Sequence, residues 1–332
     1  MKNKLKNILF RADSSSTIGT GHIMRDLVLA SQLQKEFPHA KIAFATQDLD
    51  GNINYKIVEA GYEIFVLSSH AIEELIEVIK AGHVEMLVID HYGIDAEYEK
   101  ELKDKNSTLK ILSFDDTYKK HFCDILLNHN ISANVKKYKK LVPKHCELRC
   151  GSKYTLLRDE FKKEKKTRCP KGKKRKVKNK NCPVRKYPWG ATVTIFVAMG
   201  GADHSIINIK ILKVLKKFSN IQVNLVTTTA NQHINELKKY VQNEKWIKLH
   251  VNSNKIAKLM AKSDFAIITP SVTANEVHFM NLPFVAIKTA DNQDDMYKYF
   301  KKNKSLVLNN FKNKKLKIYV ALLIKKVAKY AK

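Results

Sequence analysis

The feature that most constrains the fold of this chain is a regular alternation of short apolar runs with helical stretches. In the first half, the apolar runs lie at residues 8–13, 42–46, 63–67, 86–90, 110–114 and 124–128, and helical periodicity appears between most of them, as at residues 23–33. Strands that alternate with helices of this length predict parallel βαβ units. The first half is therefore predicted to form an α/β domain around a parallel sheet.

The same alternation restarts in the second half of the chain. There the apolar runs lie at residues 193–199, 223–227, 265–269 and 284–287. A single hydrophobic core rarely grows past ~250–300 residues, and the chain has 332 residues. We therefore predict two Rossmann-like α/β domains that face each other across a cleft, over residues 1–160 and 191–310.

Two basic segments interrupt and follow this pattern. Residues 161–190 hold 14 Lys and Arg against a single acidic residue, Glu164. A segment this basic, with few apolar side chains, cannot bury a core of its own, so we expect a flexible linker or insert. Residues 311–332 are also rich in lysine, and their apolar spacing predicts a basic C-terminal helix.

The formal net charge of +29 raises nucleic-acid binding as an alternative function. Residues 161–190 contain one aromatic pair, Tyr187 and Trp189, and no recognisable nucleic-acid-binding module. Lysine runs of this kind are typical of a solvated linker and surface. We expect no specific nucleic-acid partner, and we keep nucleic-acid binding as the second alternative.

No segment predicts export or insertion into a membrane. The apolar stretch behind Met1 is too short for a signal-peptide core, and no later run approaches the ~18 apolar residues of a membrane span. The five cysteines are odd in number and lack the paired spacing of a zinc ribbon, so we expect reduced thiols and no metal. We expect a cytoplasmic monomer without stable membrane insertion.

The first candidate site follows the first predicted strand, where ligands of parallel α/β sheets bind. Gly19 and Gly21 let the backbone approach a ligand closely, and the helix N-terminus behind them favours an anion. His22 falls at the start of this helix, where the positive helix end favours the neutral imidazole that a general base needs. Asp13 is placed to orient it through the other ring nitrogen. A tight turn with a capping residue explains the spacing equally well.

The second candidate site is the run Met199-Gly200-Gly201-Ala202-Asp203 at a strand end in the second half of the chain. Paired glycines before a helix make a turn that accepts phosphate, because their backbone N–H groups can converge on an anion. A plain glycine-rich turn between a strand and a helix is an equally good interpretation.

The third candidate site follows the strand at residues 265–269. It comprises Ser271, Asn275 and Glu276, with Gln293 further along the chain. A carboxylate one turn into a helix behind a strand is well placed to accept both ribose hydroxyls of a nucleotide. The alternative is an acidic residue near a helix start that is favoured only by the helix dipole.

Several motifs together resemble known enzymes. Asn275-Glu276, Leu282-Pro283 and Asn292-Gln293 resemble the nucleotide-binding half of GT-B glycosyltransferases. The motifs that resemble one relative of that group more narrowly lie at residues 13–16, 18–23, 25–27, 89–93, 112–116 and 123–128. That relative is the family of UDP-2,4-diacetamido-2,4,6-trideoxy-β-L-altropyranose hydrolases of pseudaminic acid biosynthesis. The resemblance covers nearly the whole chain except residues ~162–190 and the basic tail.

The resemblance implies a UDP-sugar substrate, cleaved at its anomeric carbon with inversion and without a metal or other cofactor. By this resemblance His22 matches the catalytic base, and Asp13 and Tyr92 match neighbouring active-site positions. The residues expected to bind the substrate and UDP are Gly19, Gly21, Arg25, Met199, Gly200, Gly201, Asp203, Ser271, Asn275, Glu276 and Gln293. A GT-B glycosyltransferase with a UDP-N-acetylhexosamine donor is the first alternative.

Overall fold

The computed structural model of the protein describes residues 5–168, 192–200 and 206–329. Contacts between residues divide the chain into two compact units, of which unit 1 ends at Leu156 and unit 2 begins at Leu157. Each unit contains one sheet in which all paired strands run parallel. The predicted α/β fold with two parallel sheets is confirmed.

Unit 1 contains a seven-stranded sheet in the order β3-β2-β1-β4-β5-β6-β7. Its strands are β1 (Asn7–Ala12), β2 (Lys41–Gln47), β3 (Glu63–Leu67), β4 (Met86–Asp90), β5 (Lys110–Phe114), β6 (Ile125–Asn128) and β7 (Glu147–Cys150). Its helices are α1 (Gly21–Glu36), α2 (Tyr55–Glu59), α3 (Ile72–Ala81), α4 (Ala96–Lys105) and α5 (Val135–Tyr138), with a short 3₁₀ turn at Ser152–Tyr154.

Both faces of this sheet are covered, which explains the nearly continuous apolar runs of its central strands. Ile8 and Phe10 of β1 pack in one buried cluster with Ile23 of α1. Leu9, which points to the opposite face because side chains alternate along a strand, packs in a second cluster with Leu75 of α3. The central strands therefore hold their carboxyl ends in a fixed position between two layers of helices.

Unit 2 contains a six-stranded sheet in the order β10-β9-β8-β11-β12-β13. Its strands are β8 (Val193–Ala198), β9 (Ile221–Thr227), β10 (Ile247–Val251), β11 (Phe265–Ile268), β12 (Phe284–Ile287) and β13 (Leu306–Leu308). Its helices are α6 (Asp159–Arg168), α7 (Ile207–Leu215), α8 (Ile234–Val241), α9 (Ile256–Lys262), α10 (Val272–Phe279), α11 (Asp294–Lys302) and α12 (Asn313–Lys329), with a 3₁₀ turn at Asp291–Gln293.

Helix α6 corrects one expectation from the sequence. Residues 161–168 were predicted to begin a flexible linker, but they form the greater part of this helix, which packs against α9 of unit 2. The anchor is Phe161, whose side chain is fully buried, and the ammonium group of Lys165 lies 4.0 Å from the ring centroid of Phe279. The rest of the predicted linker, residues 169–190, lies outside the described residues.

The basic helix α12 belongs to the core of unit 2. Leu316, Val320, Leu323 and Val327 lie on one face of it and are buried in the core cluster. The helix packs against α7, β12 and β13. The lysines of this helix up to Lys326 are exposed, so they lie on the solvent side of a helix that the core requires. Among residues 5–168, 192–200 and 206–329, no helix has the length and apolar character needed to span a bilayer.

Candidate active site

The centre of the unit 1 sheet is a topological switch point. Strand β1 lies beside β4, with Ala12 opposite Asp90, and from here the strand order extends through β2 on one side and β5 on the other. Connections leave two such strands in opposite directions, so a crevice opens beyond their carboxyl ends, and ligands bind there. The loop at residues 13–20 and the loop that begins at Asp90 both start at this point.

His22 lies at this switch point with its imidazole held by a carboxylate. It is the second residue of α1 and is buried, and its Nδ1 lies 2.6 Å from Asp90 Oδ1. Burial acts to raise the pKa of Asp90, but Arg25 and His22 outweigh it and hold that pKa well below its usual range. The ionised carboxylate can only accept, so Nδ1 carries the proton and Nε2 is left as the basic nitrogen.

Arg25 fixes the position of the Asp90 carboxylate. Its Nε and Nη2 donate to Asp90 Oδ2 and Oδ1, each at 2.5 Å, and its Nη1 lies 3.5 Å from Asp116 Oδ2. The guanidinium also lies 4.9 Å from the ring centroid of Phe114. The structure buries Arg25 as the cation that compensates Asp90; that Arg25 also binds the substrate stays a prediction.

Asp13 does not orient His22, and this prediction is wrong. Its Oδ1 accepts from Arg11 Nη1 at 2.7 Å and from the Gln47 backbone N–H at 2.8 Å. Its Oδ2 accepts from Arg11 Nη2 at 2.9 Å and lies 3.2 Å from His91 Nε2. Burial acts to raise the pKa of Asp13, but hydrogen bonds from His91 and Arg11 hold it below its usual range. Asp13 follows β1 directly, and side chains two positions apart in extended backbone point to the same side, so Arg11 of β1 contacts Asp13.

The surroundings of Asp13 include a donor set that suits a transition metal. Ligand atoms of Asp13, His70 and His91 all lie within 4.8 Å of one another. Two imidazoles and a carboxylate can bind such an ion. However, the Arg11 guanidinium bonds both oxygens of Asp13 and lies 3.1 Å from His70 Nδ1. The cation of this cluster is thus a side chain of the protein itself, which a metal ion would have to displace.

Tyr92 lies against the imidazole of His22. The two rings meet edge to face, with centroids 4.9 Å apart, and the Tyr92 hydroxyl donates to Asp116 Oδ1 at 2.9 Å. Burial raises the pKa of Tyr92, and the negative charge of Asp116 raises it further. The phenol therefore keeps its proton and shapes one wall beside His22, with 43% of the residue exposed.

The glycines of this loop leave room beside the backbone. A Cβ added at Gly19 or Gly21 would meet no atom within 4 Å. Gly19 has a φ of +85°, in the left-handed region that favours glycine, and its N–H donates to the Ser15 carbonyl. The Ser15 hydroxyl accepts from two further N–H groups of the loop. The turn is thus held in one shape and stays open on one side.

The switch point of unit 2 lies between β8 and β11. At the end of β8, the side chain of Met199, which we predicted to bind UDP, is buried in the core cluster. Gly200 has a φ of +87°, and no atom of the described residues lies within 4 Å of the position that its Cβ would take. Gly201 and Asp203, which we also predicted to bind UDP, lie outside the described residues.

The remaining predicted residues lie at the ends of β11 and β12. Ser271 precedes α10, and its hydroxyl lies 2.9 Å from that of Thr269. Asn275 is buried within the first turns of α10. Gln293 lies in the 3₁₀ turn after β12 and accepts from the Thr289 N–H at 2.9 Å. Strands β8, β11 and β12 are neighbours, so these residues and Gly200 lie at one edge of the sheet.

Glu276 has a partner that the sequence did not predict. Its Oε1 accepts from Arg158 Nη2 at 3.1 Å, and its side chain is 12% exposed. Burial raises the pKa of Glu276, and Arg158 acts against this effect. Arg158 lies just before α6, whose packing on unit 2 we did not predict. A lone arginine ahead of a basic segment gave no signal of such a role.

Asp90 and Asp116 were also missed as functional residues. Each ends or follows a central strand, β4 or β5, at the same sheet edge as Asp13. The rule that selected Asp13, that ligands bind beyond strand carboxyl ends, selects Asp90 equally well. The sequence offered no way to rank the two carboxylates, because that ranking depends on which one reaches His22.

Solved structures of other proteins share this fold. MurG from Acinetobacter baumannii aligns over 98% of this chain and 94% of its own, with a TM-score of 0.60 and 12% identity. Anabaena Alr3699/HepE, solved in complex with UDP-glucose, aligns over 98% of this chain and 91% of its own, with a TM-score of 0.58 and 12% identity. Together with the two sheets, these alignments show the GT-B fold.

A sequence relative shows the family to which the chain belongs. The UDP-2,4-diacetamido-2,4,6-trideoxy-β-L-altropyranose hydrolase of Campylobacter jejuni is 39% identical over 287 residues, which span 86% of this chain and 93% of the relative. No protein-family profile matches the chain. The chain belongs to the family of this UDP-sugar hydrolase, a family of enzymes, and the resemblance drawn from the motifs is confirmed.

Proposed function

We propose that the protein hydrolyses UDP-2,4-diacetamido-2,4,6-trideoxy-β-L-altropyranose to UDP and the free sugar, as a step of pseudaminic acid biosynthesis. Membership of the hydrolase family supports the substrate. The His22–Asp90 pair at the switch point of unit 1 carries the proposal of hydrolysis, because it is a base held by a buried carboxylate at the place where α/β sheets bind ligands.

In the proposed reaction, His22 Nε2 accepts a proton from water as the water oxygen bonds to the anomeric carbon. The bond from that carbon to the UDP oxygen breaks, and UDP leaves with the electron pair. Asp90 stabilises the imidazolium that forms at His22, as a buried carboxylate does when it bonds the far nitrogen of a catalytic histidine. Attack from the face opposite the leaving group inverts the anomeric configuration.

Unit 2 supplies groups suited to hold UDP without a metal. The turn at Gly200 leaves its backbone accessible, and α10 begins directly after Ser271. Backbone N–H groups at a helix start attract the diphosphate, and the same groups stabilise its charge as the leaving group departs. The Glu276 carboxylate is proposed to accept hydrogen bonds from the ribose hydroxyls.

The test is release of UDP from the proposed substrate by the purified protein in EDTA. Three proteins are compared: wild type, His22→Ala, and His39→Ala as a control at an exposed histidine. We expect UDP and free sugar from wild type and His39→Ala, and a loss of ~10²–10⁴-fold in kcat for His22→Ala with UDP affinity kept. NMR of the first sugar formed should show the anomer opposite to that of the substrate.

Two outcomes would contradict the proposal. UDP release that requires an added acceptor would move a GT-B glycosyltransferase to first place, since a transferase forms a conjugate in place of free sugar. UDP release that requires a divalent metal would remove the metal-independent mechanism. A wild-type rate for His22→Ala would reassign the base while leaving the substrate assignment intact.

A further inference from the structure

Two buried ionisable residues of unit 1 have no part in the proposed mechanism. Asp26 is fully buried, and neither of its carboxylate oxygens has a hydrogen-bond partner among the described residues. His129, directly behind β6, is 1% exposed, and neither ring nitrogen has a partner there. Buried polar groups are nearly always hydrogen-bonded, so each of these two requires an explanation.

Both residues belong to the surroundings of the His22–Asp90 pair. Residues three and four apart on a helix share a face, so His22, Arg25 and Asp26 of α1 point the same way, and the first two contact Asp90 directly. Asp26 interacts electrostatically with Asp90 and Arg25. His129 interacts with Arg25, Asp90 and His22. Asp116 also belongs to this group, because its Oδ2 lies 3.5 Å from Arg25 Nη1.

The charges of this group indicate the state of Asp26. Arg25 is the one fixed cation in it, and both Asp90 and Asp116 already share that cation. An ionised Asp26 would be a buried carboxylate without a hydrogen-bond donor, a state that proteins avoid by taking up a proton. A protonated Asp26 gains an O–H donor, and the ionised Asp90 is an acceptor beside it.

We propose that Asp26 is a neutral carboxylic acid that donates a hydrogen bond to Asp90 and so acts as a positioning residue for His22. The catalytic part of this inference rests on the proposed function. The Asp26 hydroxyl joins the donors of Arg25 and His22 around Asp90, which fixes the carboxylate that orients the imidazole. Neutrality also matters, because an additional negative charge here would hold the proton on His22 after it had been taken from water.

The pKa directions agree with this arrangement. Burial, followed by the charge of Asp90, raises the pKa of Asp26 well above its usual range. Burial and the nearby Arg25 lower the pKa of His129 to about 3, so this imidazole stays neutral as well. Neutral Asp26 and His129 thus surround the charged Arg25–Asp90 pair without adding charge next to His22.

The first test measures stability against pH and needs no activity. The folded-state pKa of Asp26 is raised, so its stabilisation is complete below the unfolded-state pKa and is lost as pH rises toward the folded-state value. Asp26→Asn removes this dependence while keeping shape and donor. We expect the unfolding constant of Asp26→Asn relative to wild type to fall as pH rises above the unfolded-state pKa, by about tenfold per unit for as long as the folded-state Asp26 keeps its proton. The control, Asp104→Asn at an exposed carboxylate, should give a constant ratio.

A pH-independent ratio for Asp26→Asn would overturn the proposal, because it would mean that Asp26 ionises in the folded protein as it does in the unfolded chain. If Asp26→Asn does not fold, the carbon-13 NMR shift of the Asp26 carboxyl in the wild type decides the matter. A protonated value throughout pH 5 to 8 supports the proposal, and titration near the ordinary aspartate range refutes it.

The positioning role is tested by kinetics on folded variants. We expect Asp26→Asn to keep kcat within a few-fold of wild type, because the amide also donates to Asp90. Asp26→Leu, which has similar size but no donor, should lose about tenfold to a hundredfold in kcat with KM unchanged. Equal kcat for the two variants would refute the role. The stability result stands whether or not the proposed substrate is hydrolysed, so failure of one proposal can be told from failure of the other.

Discussion

The two sheets of this protein share a parallel topology, but the arginine–carboxylate pairs beyond their central strands differ in burial. At the unit 1 switch point, Arg25 and Asp90 pair with side chains that are 6% and 2% exposed. In unit 2, the pair that Arg158 makes with Glu276 of α10 is 26% and 12% exposed. The same topology thus carries an arginine–carboxylate pair in each unit, and the two pairs differ in burial.

Burial accounts for the difference. Hydrogen bonds to charged groups strengthen in a low-dielectric interior, and their partners cannot move without leaving a charge uncompensated. Such rigidity suits a base that must face one atom of a substrate. The Arg158–Glu276 pair is less completely enclosed, with the arginine 26% exposed, which would suit the proposed nucleotide that must bind and leave.

The largest effect should follow from Asp90→Asn. The substitution keeps the shape of the side chain but removes the charge that stabilises an imidazolium, and it allows the wrong tautomer of His22. We expect kcat for UDP release to fall about a thousandfold or more with UDP affinity unchanged. Because the buried Arg25 loses its partner, stability should also fall by about 3 kcal/mol in urea unfolding. A kcat near that of wild type would mean that Asp90 does not act through His22.

A smaller effect of a different kind should follow from Glu276→Gln. Loss of an ionised acceptor should weaken UDP binding about tenfold in calorimetry and raise KM, with kcat within a few-fold of wild type. The double variant Asp90→Asn/Glu276→Gln sharpens the comparison between the units. The free-energy effects of its two substitutions should add, because the two residues are proposed to act on different steps. A large fall in kcat for Glu276→Gln alone would break the division of roles.

The smallest effect should follow from Gly200→Ala. No atom of the described part of the chain obstructs a Cβ at this position, but the φ of +87° lies in the left-handed region, so we expect a stability loss of about 1–2 kcal/mol from backbone strain. Gly21→Ala is the matched control, since its surroundings are equally open and its φ lies outside that region. Similar unfolding midpoints for the two variants would show that the strain is relieved locally.

Sequence reasoning succeeded for the central strands and failed at the margins of the sheets. Strands β1, β4, β8 and β11 are long apolar runs because helices cover both of their faces. The strands that were not predicted, β7, β10 and β13, all lie at sheet edges. An edge strand needs less apolar surface, so its sequence carries a weaker signal. Helix α6 was missed for a similar reason, because one buried aromatic residue, Phe161, anchors an otherwise basic stretch.

By itself, the sequence determined the repeated α/β architecture, the family, and the loops in which candidate residues lie, because hydrophobic periodicity and strand-end motifs are local properties. Only the tertiary structure decided which side chains meet. Arg11 lies on β1 two residues before Asp13, whereas Asp90 reaches His22 and Arg25 across more than sixty positions of sequence. Strand pairing sets these long-range partners, and burial then sets their charge states, so the assignment of Asp90, and of the proposed neutral Asp26, required the assembled sheet.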